Sequence, residues 1–109
     1  MTFNELKEKA TEFSERKFGY DNKKRLLPVA HKYIEESNEL FDAIKSNVSV
    51  SEVNDEFADC FLLLVDLYRL YHGNDVDMQT LIDISSKKLD KCESREWGTP
   101  DENGVFHHK

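Results

Sequence analysis

Apolar residues recur every three or four positions along most of the chain, which is the spacing that predicts amphipathic helices. No segment shows the alternation of apolar and polar residues that is typical of a strand, and there are only two prolines and four glycines. The pattern predicts helices at about residues 2–17, 27–45, 49–71 and 77–93, the last starting at Asp77 or Met78. We therefore expect an all-α fold that ends in a turn-rich tail from about residue 95.

Several local signals mark the ends of these helices. Gly19 breaks the chain after the first helix, Ser49 and Glu52 fit a Ser-x-x-Glu capping box, and Gly73 follows the third helix. The predicted inward-facing residues are Phe3, Leu6, Ala10 and Phe13 in the first helix, Ala30, Tyr33, Ile34, Ser37, Phe41 and Ile44 in the second, and Leu81, Ile82, Ser85 and Leu89 in the fourth. The tail could fold over a neighbouring surface or extend freely.

The middle of the third helix is apolar nearly all round, from Cys60 to Val65. A helix of that kind is buried on more than one side, and a bundle of this size offers little cover for it. A second subunit is the simplest source of the missing cover. We therefore predict an obligate homo-oligomer, either a homodimer or a dimer of dimers.

Length and charge narrow the class of protein. We expect the 109 residues to form one domain with a small core. A net charge of -7 argues against coating nucleic acid or binding an anionic membrane, because both require a basic surface. The cysteines, Cys60 and Cys92, have no ligand spacing, and we expect Cys60 to be a buried free thiol. No signal peptide or membrane-spanning run is present, so we expect a soluble cytoplasmic protein.

Two acidic clusters carry the candidate chemistry. The first is Glu35-Glu36-Ser37-Asn38-Glu39 and the second is Glu56-Phe57-Ala58-Asp59. Carboxylates three residues apart share one face of a helix, so two packed helices could direct four carboxylates at one point. Hard divalent ions such as Mg²⁺ prefer oxygen ligands, and an all-carboxylate site favours a phosphate-bearing substrate.

The alternative interpretation is that each cluster is an ordinary solvated helix face. Two observations favour the metal site. Like charges at this spacing destabilise a helix unless something neutralises them, and there is no lysine or arginine between Ser46 and Tyr68. His31 lies one turn before Glu35 and could join the site, although a surface position is the simpler expectation. A di-iron bundle is disfavoured because neither cluster contains Glu-x-x-His.

A basic face on the fourth helix is the candidate phosphate-binding surface. Lys88, Lys91 and Arg95 are spaced by three and four residues and therefore share one face. Solvated surface charge is again the alternative interpretation. If this face lies across from the carboxylates, it could neutralise a polyphosphate.

The acidic clusters also support a family resemblance. Glu36-x-x-Glu39, a spacer of 16 residues, and Glu56-x-x-Asp59 in a short all-α chain resemble the MazG-like superfamily of nucleoside triphosphate pyrophosphohydrolases. Further stretches resemble its small phage and bacterial branch with dATP/dGTP pyrophosphohydrolases (MazZ-like). These stretches are Phe18-Gly19, Pro28-Val29-Ala30-His31, Lys88-Leu89, Arg95-Glu96-Trp97-Gly98 and Pro100-Asp101-Glu102-Asn103-Gly104. Cys92 departs from the asparagine that the branch tends to carry there.

The resemblance implies specific roles for these residues. Glu36, Glu39, Glu56 and Asp59 would bind Mg²⁺, for which Mn²⁺ is a possible substitute, and Glu35 would orient or deprotonate the attacking water. Lys88 and Arg95 would bind phosphate by the motif, and Lys91 by its helical phase alone. Phe13, Phe18, Tyr20 or Trp97 could stack on a base, although burial habits favour core positions for these aromatics.

The implied reaction is hydrolysis of a nucleoside triphosphate to a monophosphate and pyrophosphate. A purine deoxynucleotide, dATP or dGTP, is the substrate that the branch resemblance favours, and a pyrimidine such as dCTP or dUTP is the enzymatic alternative. A non-catalytic helical interaction protein is the alternative from another class. If the chain is phage-encoded, we expect it in the host cytoplasm.

Overall fold

A computed structural model describes all residues, 1–109, and contains four helices and no strands. They are α1 (Phe3–Phe18), α2 (Asn22–Lys45), α3 (Val50–His72) and α4 (Gln79–Glu93). This confirms the all-α prediction. The chain divides into two compact units, an N-terminal unit of Met1–Asp77 and a C-terminal unit of Met78–Lys109. None of the four helices has the combination of length and apolar composition that crossing a membrane requires.

Helix α1 is closed at both ends by local interactions. Thr2 forms a capping box with Glu5: the Thr2 hydroxyl accepts from the Glu5 N–H, and the Glu5 carboxylate accepts from the Thr2 N–H, both at 3.1 Å. Gly19 ends the helix at a φ of 111°, a conformation that strongly favours glycine. The break predicted from Gly19 is therefore confirmed.

Helix α2 begins five residues before the predicted Leu27, at Asn22. Proline is favoured in the first turn of a helix, where its missing N–H is not needed for an intrahelical hydrogen bond. In the structure Pro28 lies inside α2, and the start is set by Asp21, whose carboxylate accepts from the Lys24 N–H at 3.1 Å.

Helix α3 is the packing partner of both α1 and α2. Its start confirms the predicted cap, since the Ser49 hydroxyl accepts from the Glu52 N–H at 3.2 Å, and it ends at Gly73 as predicted. Phe3 of α1 stacks on Phe61 of α3, with ring centroids 5.6 Å apart. The N-terminal unit is therefore three helices with α3 in contact with the other two.

Several predicted core positions are wrong. On α2 the buried residues are Val29 and Glu36, while Ile34 and Phe41 are 60% and 62% exposed. Helix α2 has two apolar faces, and the face of Val29 packs against α3 while the face of Ile34 and Phe41 does not. Within Cys60–Val65 only Val65 is buried, and Cys60 is a half-buried free thiol. On α4 no residue is buried, so its predicted inward-facing residues lie at or near the surface.

Hydrogen bonds within the tail close it on itself, a feature that the sequence did not predict. The Gly98 N–H donates to the His107 carbonyl at 2.8 Å, and the Lys109 N–H donates to the Glu96 carbonyl at 2.9 Å. The Asp101 carboxylate accepts from the N–H groups of Asn103 and Val105 inside this turn. Hydrogen bonds within the tail therefore satisfy these backbone groups locally.

Candidate metal centre and adjoining pocket

Three carboxylates from two helices meet in the N-terminal unit. Glu36 comes from α2, and Glu56 and Asp59 come from one face of α3, three residues apart. One oxygen from each residue lies within 4.8 Å of the other two. We call Glu36, Glu56 and Asp59 the carboxylate triad. It contains three of the four metal ligands predicted from the sequence.

Burial makes the triad unusual for an acidic cluster. Glu36 is only 9% exposed, Glu56 is half-buried and Asp59 is exposed. The Oε2 atoms of Glu36 and Glu56 are both buried and have no hydrogen-bond partner. A buried carboxylate oxygen without a partner is costly, so a positive ligand at these atoms would be stabilising. The donor set fits a hard divalent cation, for which carboxylate oxygens are the preferred protein ligands.

Electrostatics within the cluster are also unfavourable without a cation. The pKa of Glu39 is raised above its usual value, mainly by a hydrogen bond with Glu36 and secondly by the negative charge of Glu36. Burial, followed by the charge of Asp59, raises the pKa of Glu56. Glu39 is thus a neighbour of Glu36 but not one of the three carboxylates that meet, and its role as a fourth ligand stays a prediction. Each shift means that the ionised form is disfavoured, which a bound cation would reverse.

Lys32 was not predicted to be near the site. Its ammonium lies 3.3 Å from Glu36 Oε1 and 3.4 Å from Glu35 Oε2, and these two carboxylates raise the pKa of Lys32. The predicted catalytic residue Glu35 is therefore beside Lys32, 66% exposed and outside the triad. The one-turn spacing from Lys32 to Glu36 was visible in the sequence, but helices carry many such pairs. His31 is exposed, as the simpler expectation held.

A cavity of about 1300 Å³ lies between α1, α2 and α3, and Glu36 and Asp59 of the triad are among its lining residues. Lys32 also lines it, and apolar side chains make up much of the wall. Phe13, Phe18 and Tyr20 line this cavity with half or more of their surface exposed, so the expectation of core positions for them is wrong. Phe13 and Phe18 pack edge to face with ring centroids 6.0 Å apart. We call this cavity the three-helix pocket.

A second polar cluster lines the same pocket, and the sequence did not reveal it. Ser14 Oγ donates to Asp66 Oδ2 at 2.9 Å, Arg25 donates to Ser14 Oγ at 2.8 Å, and Arg69 pairs with Asp66 Oδ1. Ser14, Asp66 and Arg69 are all buried. Asp66 lies seven residues after Asp59 and thus on the same helix face, which is a signal that could have placed it near the site.

The predicted phosphate-binding residues belong to the C-terminal unit. Lys88 and Lys91 are exposed on α4, and Arg95 follows that helix and is half-buried. Cys92 is a half-buried free thiol, and its carbonyl accepts from the Trp97 indole N–H at 3.0 Å. The predicted position of Lys88, Lys91 and Arg95 across from the carboxylates stays a prediction.

Comparisons of the chain with models of protein families, with curated proteins and with solved structures gave no match. The MazG-like resemblance therefore depends on the motif residues alone.

Proposed function

We propose that this chain is a metal-dependent nucleoside triphosphate pyrophosphohydrolase, most active with Mg²⁺. The observation that supports this proposal is the pair of buried, unpartnered carboxylate oxygens of Glu36 and Glu56, in a triad of which Glu36 and Asp59 line a large pocket. An acidic site of this kind attracts a cation, and a cation in turn attracts an anionic substrate to an otherwise negative surface. The spacing of Glu36, Glu39, Glu56 and Asp59 adds the motif of the MazG-like superfamily.

The reaction would be the attack of water on the α-phosphorus. A new bond forms between the water oxygen and phosphorus, the bond from that phosphorus to the bridging oxygen breaks, and the products are a nucleoside monophosphate and pyrophosphate. A divalent ion held by the triad and Glu39 would lower the pKa of bound water and neutralise charge on phosphoryl oxygens. Glu35 would orient the water or accept its proton.

The proposed phosphate-binding side chains fall into two groups. In the proposed enzyme Lys32 offers the triphosphate an ammonium group once a cation satisfies Glu36, because its present partners are the carboxylates of Glu35 and Glu36. Lys88, Lys91 and Arg95 would bind phosphate groups of the substrate. We assign this role to Lys88 and Arg95 from the motif and to Lys91 from its helical phase.

The preferred substrate that we propose is a purine deoxynucleoside triphosphate, dATP or dGTP. The three-helix pocket supports a nucleoside in general, because it adjoins the triad and has an aromatic wall of Phe13, Phe18 and Tyr20. Purines offer the larger ring surface for such a wall. A pyrimidine substrate, dCTP or dUTP, is the alternative.

We also propose that the working form is a homodimer or a dimer of dimers. Apolar residues seven positions apart remain exposed on two helices: Leu27, Ile34 and Phe41 on α2, and Val50, Phe57, Leu64 and Tyr71 on α3. This heptad spacing is typical of helix faces that pack against other helices. Exposed apolar stripes of such length are unusual on a monomer and support association with a second copy.

The reaction class can be tested by measuring pyrophosphate release from the four ribonucleoside and four deoxyribonucleoside triphosphates, with Mg²⁺ and with EDTA. We expect release from at least one deoxynucleotide only when the metal is present. In ¹⁸O-labelled water the label should enter the monophosphate, since water attacks the α-phosphorus. Label in the pyrophosphate would contradict the proposed position of attack.

Variants separate the enzyme from the alternative of a non-catalytic interaction protein. We expect Glu39→Gln and Asp59→Asn to abolish turnover and to raise the metal-free melting temperature, because each removes a like-charge repulsion. The matched control is Asp55→Asn, which removes an exposed carboxylate of the same helix outside the triad. If no triphosphate is cleaved with Mg²⁺ or Mn²⁺, the interaction protein becomes the better hypothesis.

A further inference from the structure

The three-helix pocket is also lined by a polar cluster, Ser14, Arg25 and Asp66, whose chemistry goes beyond the proposed hydrolysis. Asp59 at the triad and Asp66 in this cluster are seven residues apart on α3, or about 10 Å along the helix axis. That separation is comparable to the length of a nucleoside. A nucleotide with its phosphates at the triad would therefore bring its base close to Asp66 and the residues bonded to it.

This cluster carries an excess positive charge. The guanidinium groups of Arg25 and Arg69 both pair with the single carboxylate of Asp66, at 3.6 Å from Oδ2 for Arg25 and with Oδ1 for Arg69. Arg69 is fully buried and Asp66 is 8% exposed, so water neutralises little of this charge. One positive charge remains unmatched. A ligand in this part of the pocket is favoured if it presents hydrogen-bond acceptors.

Arg25 is the member of the cluster whose hydrogen-bond donors are not all used within the cluster. A guanidinium has five N–H groups, and Arg25 uses one for Ser14 Oγ and directs one toward Asp66, which leaves at least three. Asp66 already accepts from Ser14 and Arg69. The guanidinium also lies over the Phe18 ring, 5.4 Å from its centroid, which together with Ser14 and Asp66 restrains its plane. The cluster thus offers a fixed set of donors at the pocket wall.

We propose that Arg25 is a specificity residue that donates to O6 and N7 of a guanine base, an inference that rests on the function proposed above. Guanine presents two adjacent acceptors on this edge, whereas adenine presents one acceptor and an amino donor. The amino group of adenine would face the N–H donors of Arg25 and the unmatched positive charge. Between the two purines, the pocket therefore selects the one with the 6-oxo group.

The first test is the ratio of kcat/KM for dGTP to kcat/KM for dATP in the wild type, in Arg25→Gln and in the control Lys23→Gln. Lys23 is an exposed cation on the same helix that does not line the pocket. We expect a ratio above one in the wild type, a roughly 10- to 100-fold decrease in Arg25→Gln, and no change in the control. A purely structural Arg25 would lower both values equally, and an unchanged ratio would overturn the proposal.

A second test changes the ligand, so it does not depend on whether Arg25→Gln folds. The wild type is given dGTP, its 7-deaza analogue, which lacks the N7 acceptor, and dITP, which keeps O6 and N7 but lacks the 2-amino group. We expect kcat/KM to decrease about tenfold for the 7-deaza analogue and to stay within about threefold for dITP. Equal values for dGTP and its 7-deaza analogue would contradict donation to N7.

A third measurement separates a failure of this proposal from a failure of the proposed reaction. Binding of deoxyguanosine and deoxyadenosine to the wild type, measured by calorimetry in EDTA, requires neither metal nor turnover, and neither ligand carries a phosphate that the triad would repel. If no triphosphate is cleaved but deoxyguanosine binds more tightly than deoxyadenosine and Arg25→Gln removes the difference, base selection stands and the hydrolase assignment fails. Equal binding of the two, or no binding of either, would overturn base selection.

Discussion

The buried carboxylate of Asp66 ties three helices together, so replacing it should destabilise the whole N-terminal unit. It accepts from Ser14 of α1, pairs with Arg25 of α2 and pairs with Arg69 within α3. Arg69 is 0% exposed and its Nε atom already has no partner. In Asp66→Asn the same shape remains, but two guanidinium groups lose their only neutralising charge.

The size of the effect follows from burial. Removing one partner of a buried ion pair costs about 3–5 kcal/mol, because the other charge stays buried and uncompensated. The amide carbonyl of asparagine still accepts one hydrogen bond, so we expect the lower end, about 3 kcal/mol. For a chain of this size that loss lowers the melting temperature by roughly 12 °C.

Urea unfolding followed by circular dichroism measures this loss, at one fixed protein concentration because association shifts apparent stability. The control Asp42→Asn replaces an exposed carboxylate on α2 and should change the free energy of unfolding by less than about 0.5 kcal/mol. A loss below about 1 kcal/mol for Asp66→Asn would refute the reasoning, because the buried charge of Arg69 would then have another means of neutralisation.

Three further predictions concern other parts of the chain. Phe41→Glu, on the exposed apolar stripe of α2, should convert an oligomer to a monomer in sedimentation, and a monomeric wild type at micromolar concentration would contradict association. Thr2→Ala removes the α1 cap and should cost about 1 kcal/mol in unfolding, whereas no loss would mean that the cap is replaced by water. Hydrogen bonds from the Val105 N–H and then from His107 lower the pKa of Asp101 in the folded turn. The ionised carboxylate therefore stabilises the turn fully at pH values above the ordinary aspartate pKa of 3.8, and the turn should open as the pH falls through the lower pKa of the folded state. The Val105 amide signal in NMR should report the opening, and Asp101→Asn should remove that pH dependence; a signal that does not change on acidification would contradict it.

Much of the helical framework could be predicted because its signals are local. The Ser49 cap, the glycine after each of α1 and α3, and the spacing of apolar residues all act within a few positions. The start of α2 was missed because Pro28 and Asp21 give competing signals, and only their relative strength decides between them. The buried face of α2 was also missed, since both of its faces carry apolar residues and packing on α3 selects one.

The candidate site also has one part that local sequence signals predicted and another part that they did not. The carboxylates on each helix could be aligned from their spacing, and the triad needs only that α2 packs on α3. The cluster of Ser14, Arg25 and Asp66 depends on three helices meeting at particular angles, which no spacing along one helix predicts. The absence of lysine and arginine between Ser46 and Tyr68 suggested an uncompensated acidic face, but Asp66 pairs with Arg25 from α2 and with Arg69, one turn further along α3.

The central claim is that the triad holds a divalent cation, and direct Mn²⁺ binding followed by electron paramagnetic resonance tests it without any substrate. We expect the wild type to bind Mn²⁺ competitively with Mg²⁺, Glu36→Gln and Asp59→Asn to lose at least tenfold in affinity, and the control Asp55→Asn to bind like the wild type. Equal Mn²⁺ affinity in all four proteins would contradict the claim and leave the acidic cluster without a metal.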